Sequence, residues 1–235
     1  MHPTLEFDRS LAPCPVRVAL IWAEGIAPPL AGDSPPAFLT EAARRAGEKG
    51  EALWPERTRE RVRNMLRHGR YKPSGRSKPA SEFLLQAAAN GAVPSVCAPV
   101  DVNNAVSLET GLPGSIFDAD LSGEQLLLRR GLPSESYVFN TAGQSIDLED
   151  LLVVCKNEGD RFIPCGNPVK DSMATKIQPS TTRLIAVLYA PADEPEEKLS
   201  ASATRFAELL SAHCKPHDLG CEVLPLPRGP HDPAR

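Results

Sequence analysis

The residues best suited to chemistry crowd into the stretch Cys97 to Glu135, where Asp101, the adjacent carboxamides Asn103 and Asn104, Ser115, Asp118, Arg129 and Glu135 follow one another. A hydroxyl nucleophile at Ser115 would need a base. All five histidines (His2, His68, His213, His217 and His231) lie outside this stretch, so a Ser-His-Asp arrangement has no obvious source of one. Asp118 can cap the turn at Asp120 to Ser122, and Arg129 with Glu135 can form a cross-strand ion pair. Further on, Asp171 and Ser172 follow Asn167-Pro168 and either face a pocket or make an Asx turn. The run His213-Cys214 to Cys221 holds metal-ligating types, yet it has no CxxC knuckle and its ligands are too crowded for one tetrahedron. Two half-buried cysteines and two surface histidines are the simpler expectation, with no metal.

A second kind of chemistry is suggested by charge. Between Arg57 and Lys78 stand nine basic residues and one acid, Glu60. The whole chain carries −4, so removing this window's +8 leaves −12 for the rest. That asymmetry suits a phosphate-facing patch on an acidic body, and equally a solvated helix face followed by a charged loop. Within it, Arg70-Tyr71-Lys72 to Lys78 is a loop by its Pro, Gly and Ser content, with cations and an aromatic ring able to meet an RNA backbone or a base.

These groups need elements to hold them. Apolar residues recur at near-helical spacing from Val100 to Leu108, with Asp101 placed to cap the helix and Gly111 to end it. Ser115 to Asp118 and Gln125 to Arg129 read as short strands about the Ser122-Gly123 turn, so a helix and two strands meet at a polar corner. Val16 to Ile26 reads as a buried strand. Helices are predicted for 37–46, 55–68 and 81–90, and another opens with a capping box at Asp193 to Glu196. Tyr137 to Phe139, Leu151 to Cys155, Arg161 to Cys165 and Leu184 to Tyr189 are strand candidates, and Cys221 to Leu226 is an edge strand. The predicted class is α+β, a mostly antiparallel sheet packed with several helices. Residues 1–15 are expected to be an extension, 16–226 a single domain with its core motif at 97–190, and 227–235 a disordered tail.

At 235 residues, 41 % apolar and 24 % charged, the chain falls among soluble globular proteins. No run reaches the roughly 18 apolar residues of a membrane helix and the start lacks a leader pattern, so a cytoplasmic protein with reduced cysteines is expected.

The order Val100-Asp101-Val102-Asn103-Asn104, Gly111-Leu112-Pro113, Phe117-Asp118, Arg129 and Ser134-Glu135 resembles the B3/B4 domain of the phenylalanyl-tRNA synthetase β subunit. It is still more similar to the free-standing proteins that carry this domain without a synthetase. Weaker similarity runs through Leu151 to Val154, Pro164-Cys165-Gly166 and Thr175 to Ala190, and back over Arg70 to Leu85; about half the chain is covered. In the synthetase this domain edits, hydrolysing the ester between a wrong amino acid and the tRNA's terminal adenosine. The resemblance implies an aminoacyl-tRNA deacylase acting in trans, or a non-catalytic module that binds RNA or an amino-acid-like ligand. It places Asn104 on the family's substrate- or water-binding asparagine and Asn103 on a neighbouring hydroxyl position. Ser115 stands where bacterial synthetases carry a histidine, and Gly166 lies in the loop that admits backbone amides to the ester.

Leu188 stands where a glutamate reads the tyrosine hydroxyl. Tyrosyl-tRNA is therefore not expected to be preferred, and Leu188, Asp118, Asn167 and Asp171 would line the side-chain pocket. The tRNA acceptor stem would meet Arg63, Arg67, Arg70, Tyr71, Lys72, Arg76 and Lys78. The implied partner is tRNA, with neither DNA nor a membrane and no cofactor. No nucleotide-binding glycine loop is present, so the chain is not expected to charge tRNA alone.

Overall fold

In the computed structural model, which describes residues 1–32 and 34–227, ten strands and six α-helices are seen among the described residues. Strand β1 (Thr4–Phe7) precedes β2 (Val16–Glu24), whose nearly unbroken apolar run is buried on both faces. Helices α1 (Ala37–Lys49), α2 (Thr58–Leu66), α3 (Ala80–Ala89) and α4 (Ala98–Thr110) follow. Then come β3 (Gly114–Asp118), the single turn α5 (Ala119–Ser122), β4 (Gln125–Arg130), β5 (Ser136–Val138), β6 (Ser145–Asp147), β7 (Leu152–Glu158), β8 (Arg161–Gly166) and β9 (Arg183–Pro191). Helix α6 (Glu196–Cys214) and β10 (Asp218–Val223) complete the described chain.

Two four-stranded sheets, ordered β10-β2-β9-β3 and β1-β4-β7-β8, are accompanied by a ribbon of β5 and β6. All pairs are antiparallel except β1 with β4. Helix α4 packs against α1, α3 and α6 and rests on β3, while β3 also meets β8 where the two sheets approach. One contiguous apolar core runs through both sheets and the helices. The fold is α+β and mostly antiparallel, as expected. No helix among the described residues is long and apolar enough to cross a membrane.

Several local expectations are corrected. Ser115 to Asp118 and Gln125 to Arg129 are strands as expected, but they do not pair with each other across the Ser122-Gly123 turn: β3 pairs with β9, and β4 pairs with β1 and β7. The first 15 residues are not a free extension, because Leu5 is buried and β1 extends the second sheet. Asp101 does not cap α4; the N-cap is Cys97. Its carboxylate instead accepts from Ser95 Oγ at 2.7 Å and Val96 N at 2.8 Å, fastening the preceding loop to the helix. Asp193 and Glu194 form no capping box, since both bind Arg61. Gly111 ends α4 as predicted, in the left-handed region at φ 79° with the Trp54 ring packed where a side chain would be. The tail predicted to be disordered lies, from residue 228 on, outside the described residues.

Candidate functional site

A cavity of about 240 Å³ opens where the N-terminal half of α4 faces β3, the loop after β8 and the start of α3. Asn103 and Asn104 come from α4; Gly114 and Ile116 from β3; Asn167, Val169, Lys170 and Asp171 from the loop; Lys176 and Ile177 from beyond it. Helix α4 is buried on almost every side, which is why its periodicity carries so weak a polar face. Asn103 and Asn104 face the cavity, whereas Ser107, buried elsewhere on the helix, has a hydroxyl with no partner among the described residues.

Asn103 Nδ2 donates to the Gly114 carbonyl at 3.3 Å, whereas its buried Oδ1 accepts no hydrogen bond among the described residues. A side chain at Gly114 would have to displace Asn103, since a Cβ there would lie 2.3 Å from its Oδ1. Asn104 is 9 % exposed, lines the cavity, and its amide makes no hydrogen bond among the described residues. Asn167 is a scaffold. Its Oδ1 accepts from Val169 N at 2.8 Å and Lys170 N at 2.9 Å, an Asx turn, and its amide donates to Tyr137 Oη.

Asp171 does both things the sequence allowed. Its Oδ2 accepts from Ile116 N at 3.1 Å and its Oδ1 from Asn167 N at 3.3 Å, pinning the loop to β3, while part of its surface stays open to the cavity. Burial of the carboxyl raises its pKa from 3.8 to about 6, against the downward pull of the Ser115 hydroxyl and the two backbone N–H groups. Because the folded-state value is the higher one, the contribution of Asp171 to stability is full below the unfolded pKa and is lost as pH rises through the folded one. We expect wild type to lose about 3 kcal/mol relative to Asp171→Asn between roughly pH 4 and pH 6. Urea midpoints of the two proteins across that range check it.

Four of the expected residues do not line the cavity. Ser115 is fully buried on the reverse face of β3, its Oγ 2.9 Å from Tyr189 Oη and 3.3 Å from the Asn167 carbonyl. It is neither a nucleophile nor a substitute for an imidazole. Gly166 serves packing, since a Cβ there would lie 2.3 Å from the Phe117 ring and 2.7 Å from Asp171 Oδ1. Leu188 stands opposite Gly114 on β9 but is wholly within the core, so it cannot read a substrate side chain.

Asp118 caps α5, accepting from Asp120 N at 2.9 Å, and takes the Thr181 hydroxyl at 2.5 Å on its other oxygen. Asp118→Ala should therefore lower stability by about 2–3 kcal/mol, through the lost cap and an orphaned buried hydroxyl. Chemical denaturation measures it directly. Arg129 and Glu135 form the ion pair read from the sequence, at 2.7 Å.

The basic segment divides in two. Arg57, Arg59, Arg61, Arg63 and Arg70 pair with acids, Arg63 making a two-pronged contact to Glu82 at 2.6 Å. Tyr71 is buried with its hydroxyl on the Ser77 carbonyl, so it offers no face for stacking. Arg67, Lys72, Arg76 and Lys78 are left with no acidic partner among the described residues, and Lys78 donates only to Gln86. Lys170 and Lys176, which the sequence reading passed over, stand at the cavity itself. Their signal was faint, two isolated lysines flanking an aspartate in a proline-containing loop.

Two sheets and a buried helix, with paired carboxamides at a small cavity, define an α+β module. The B3/4 domain model matches residues 72–211, more than half of the 235, and the chain belongs to that family. Among solved structures, it is similar to an N-terminal fragment of the phenylalanyl-tRNA synthetase β-subunit from Pyrococcus horikoshii, at 9 % identity and a TM-score of 0.46, over 89 % of this chain. It spans about half of that fragment, 48 %. No curated protein sequence matches the chain.

Proposed function

We propose that this protein hydrolyses the ester of misacylated aminoacyl-tRNA in trans, with Asn104 as the donor to the reacting carbonyl. The observation that carries this proposal is the unsatisfied amide of Asn104 in a cavity that it shares with Asp171, with Lys170 and Lys176, and with the apolar Val100, Ile116, Val169 and Ile177. An aminoacyl ester is already activated, so a site needs to orient water and to stabilise a tetrahedral oxyanion with donors fixed in advance. The Asn104 amide is such a donor, held on a helix buried on almost every side. Asp171, whose pKa lies near 6, is ionised at neutral pH and is the group able to take a proton from an attacking water. Val100, Ile116, Val169 and Ile177 offer apolar contact to a small or apolar amino-acid side chain. That preference now rests on the walls and not on Leu188.

A second proposal, a module that binds RNA or an amino-acid-like ligand without reaction, is favoured by one observation: no histidine lines the cavity. Release of amino acid from a panel of correctly and incorrectly charged tRNAs separates the two. Hydrolysis of one mischarged species supports the enzyme, and release from none of them, with tRNA still bound, supports the module.

A further inference from the structure

Strand β3 ends its sheet, so no strand pairs with its outer edge among the described residues. The loop after β8 takes that place. Asp171 Oδ2 accepts from Ile116 N at 3.1 Å, and Asn167 gives its own backbone N–H to Asp171 Oδ1 at 3.3 Å. On the face of β3 turned away from the cavity, Ser115 Oγ lies 3.3 Å from the Asn167 carbonyl and 2.9 Å from Tyr189 Oη. Ser115, Asn167 and Tyr189 are all buried. Chemistry fixes the direction of these bonds. A carbonyl only accepts, so the single Ser115 proton goes to Asn167, and Tyr189 must then donate to Ser115. Donation therefore runs from Tyr189 to Ser115 to Asn167, and Asn167 in turn holds the carboxylate. The Ser115 hydroxyl is also close enough to Asp171 to pull its pKa downward. An alanine and a phenylalanine would occupy these two positions with no hydroxyl to satisfy between the sheets. The polar pair is spent on the loop.

We propose that Ser115 and Tyr189 are positioning residues for Asp171, supplying from behind β3 the hydrogen bonds that hold its carboxylate in the cavity wall. Donors to a carboxylate favour its charged form, and a donor polarised by a second hydroxyl is the stronger one. The proposal rests on the reading of Asp171 as the base, and it gives Ser115 a part in the site without contact to substrate. The other groups around Asp171 are Lys176, whose charge favours the ionised carboxyl, and Tyr137 and Cys165, both kept protonated by burial. Lys170 lines the same cavity.

The test follows the Asp171 carboxyl carbon by NMR against pH, in the protein without RNA, with Asp171→Asn to assign the signal. Ser115→Ala should raise the proton affinity of Asp171 roughly tenfold, as expected for one lost donor to a charged group. Tyr189→Phe leaves Ser115 in place but removes the hydroxyl that polarises it, and should raise the affinity by a smaller factor. The sign separates positioning from packing. A variant that merely loosened the site would admit water and lower the proton affinity toward that of a free carboxyl, because burial is what raised it. An unchanged or lowered midpoint in Ser115→Ala, or in Tyr189→Phe should Ser115→Ala fail to fold, would overturn the proposal. No ester is present, so the two readings fail separately: a raised midpoint without amino-acid release from any charged tRNA defeats the enzyme alone, and release with an unchanged midpoint defeats the positioning role alone.

Discussion

Asn104→Ala is expected to slow amino-acid release from the mischarged tRNA that wild type cleaves by about 10²–10³-fold, the usual cost of one preset donor to an oxyanion. The same substitution should leave stability within about 1 kcal/mol of wild type. These two effects separate because of where the side chain sits. Its amide bonds to nothing among the described residues, and it lines a cavity, so removing it creates little new void and orphans no described partner. Asn103 behaves differently, since its Nδ2 holds the Gly114 carbonyl; its loss would disturb both site and fold. Single-turnover release, with thermal melts on the same samples, makes the comparison. A rate unchanged in Asn104→Ala would place the reacting centre elsewhere.

The second large effect is on the fold. Gly166→Ala should destabilise by about 3 kcal/mol and lower Tm by roughly 6–12 °C in a chain of this size. A Cβ there must displace the fully buried Phe117 ring on one side and the Asp171 carboxylate on the other. Neither can move freely, because Phe117 lies in the core between two sheets and Asp171 is fixed by two backbone N–H groups. Calorimetry gives the answer, and an unchanged Tm would mean that the ring has room to turn.

How legible this was in the sequence depended on whether a signal was local. The left-handed turn at Gly111, the helical spacing of α4 and the apolar run of β2 are written in consecutive residues, and each was found. Asn103 and Asn104 were singled out for the same reason, as two carboxamides in a helix with few polar positions. What failed was any statement that required knowing which strand lies beside which. Ser115 and Ile116 are neighbours, yet alternation puts the first behind the sheet and the second in the cavity, and only the pairing of β3 with β9 decides which. Leu188 was misplaced through alignment to a family position whose surroundings here are closed. The arginines of α2 could not be sorted from the cations of the loop, because their acidic partners, Glu82, Asp193 and Glu194, are distant in sequence.

The loop that forms one wall of the cavity hangs from the β5–β6 ribbon. Tyr137 takes the amide of Asn167 and gives its own hydrogen to the Lys170 carbonyl at 2.7 Å. A two-stranded ribbon is marginal by itself, and a loop with an Asx turn has little to order it without support. Each therefore supplies the other's missing contacts, and ribbon and loop make one cooperative unit that opens together or not at all. The breathing of the cavity is in this sense a property of residues 136 to 147, none of which lines it, and slow exchange of the Val169 and Lys170 amides would be its signature.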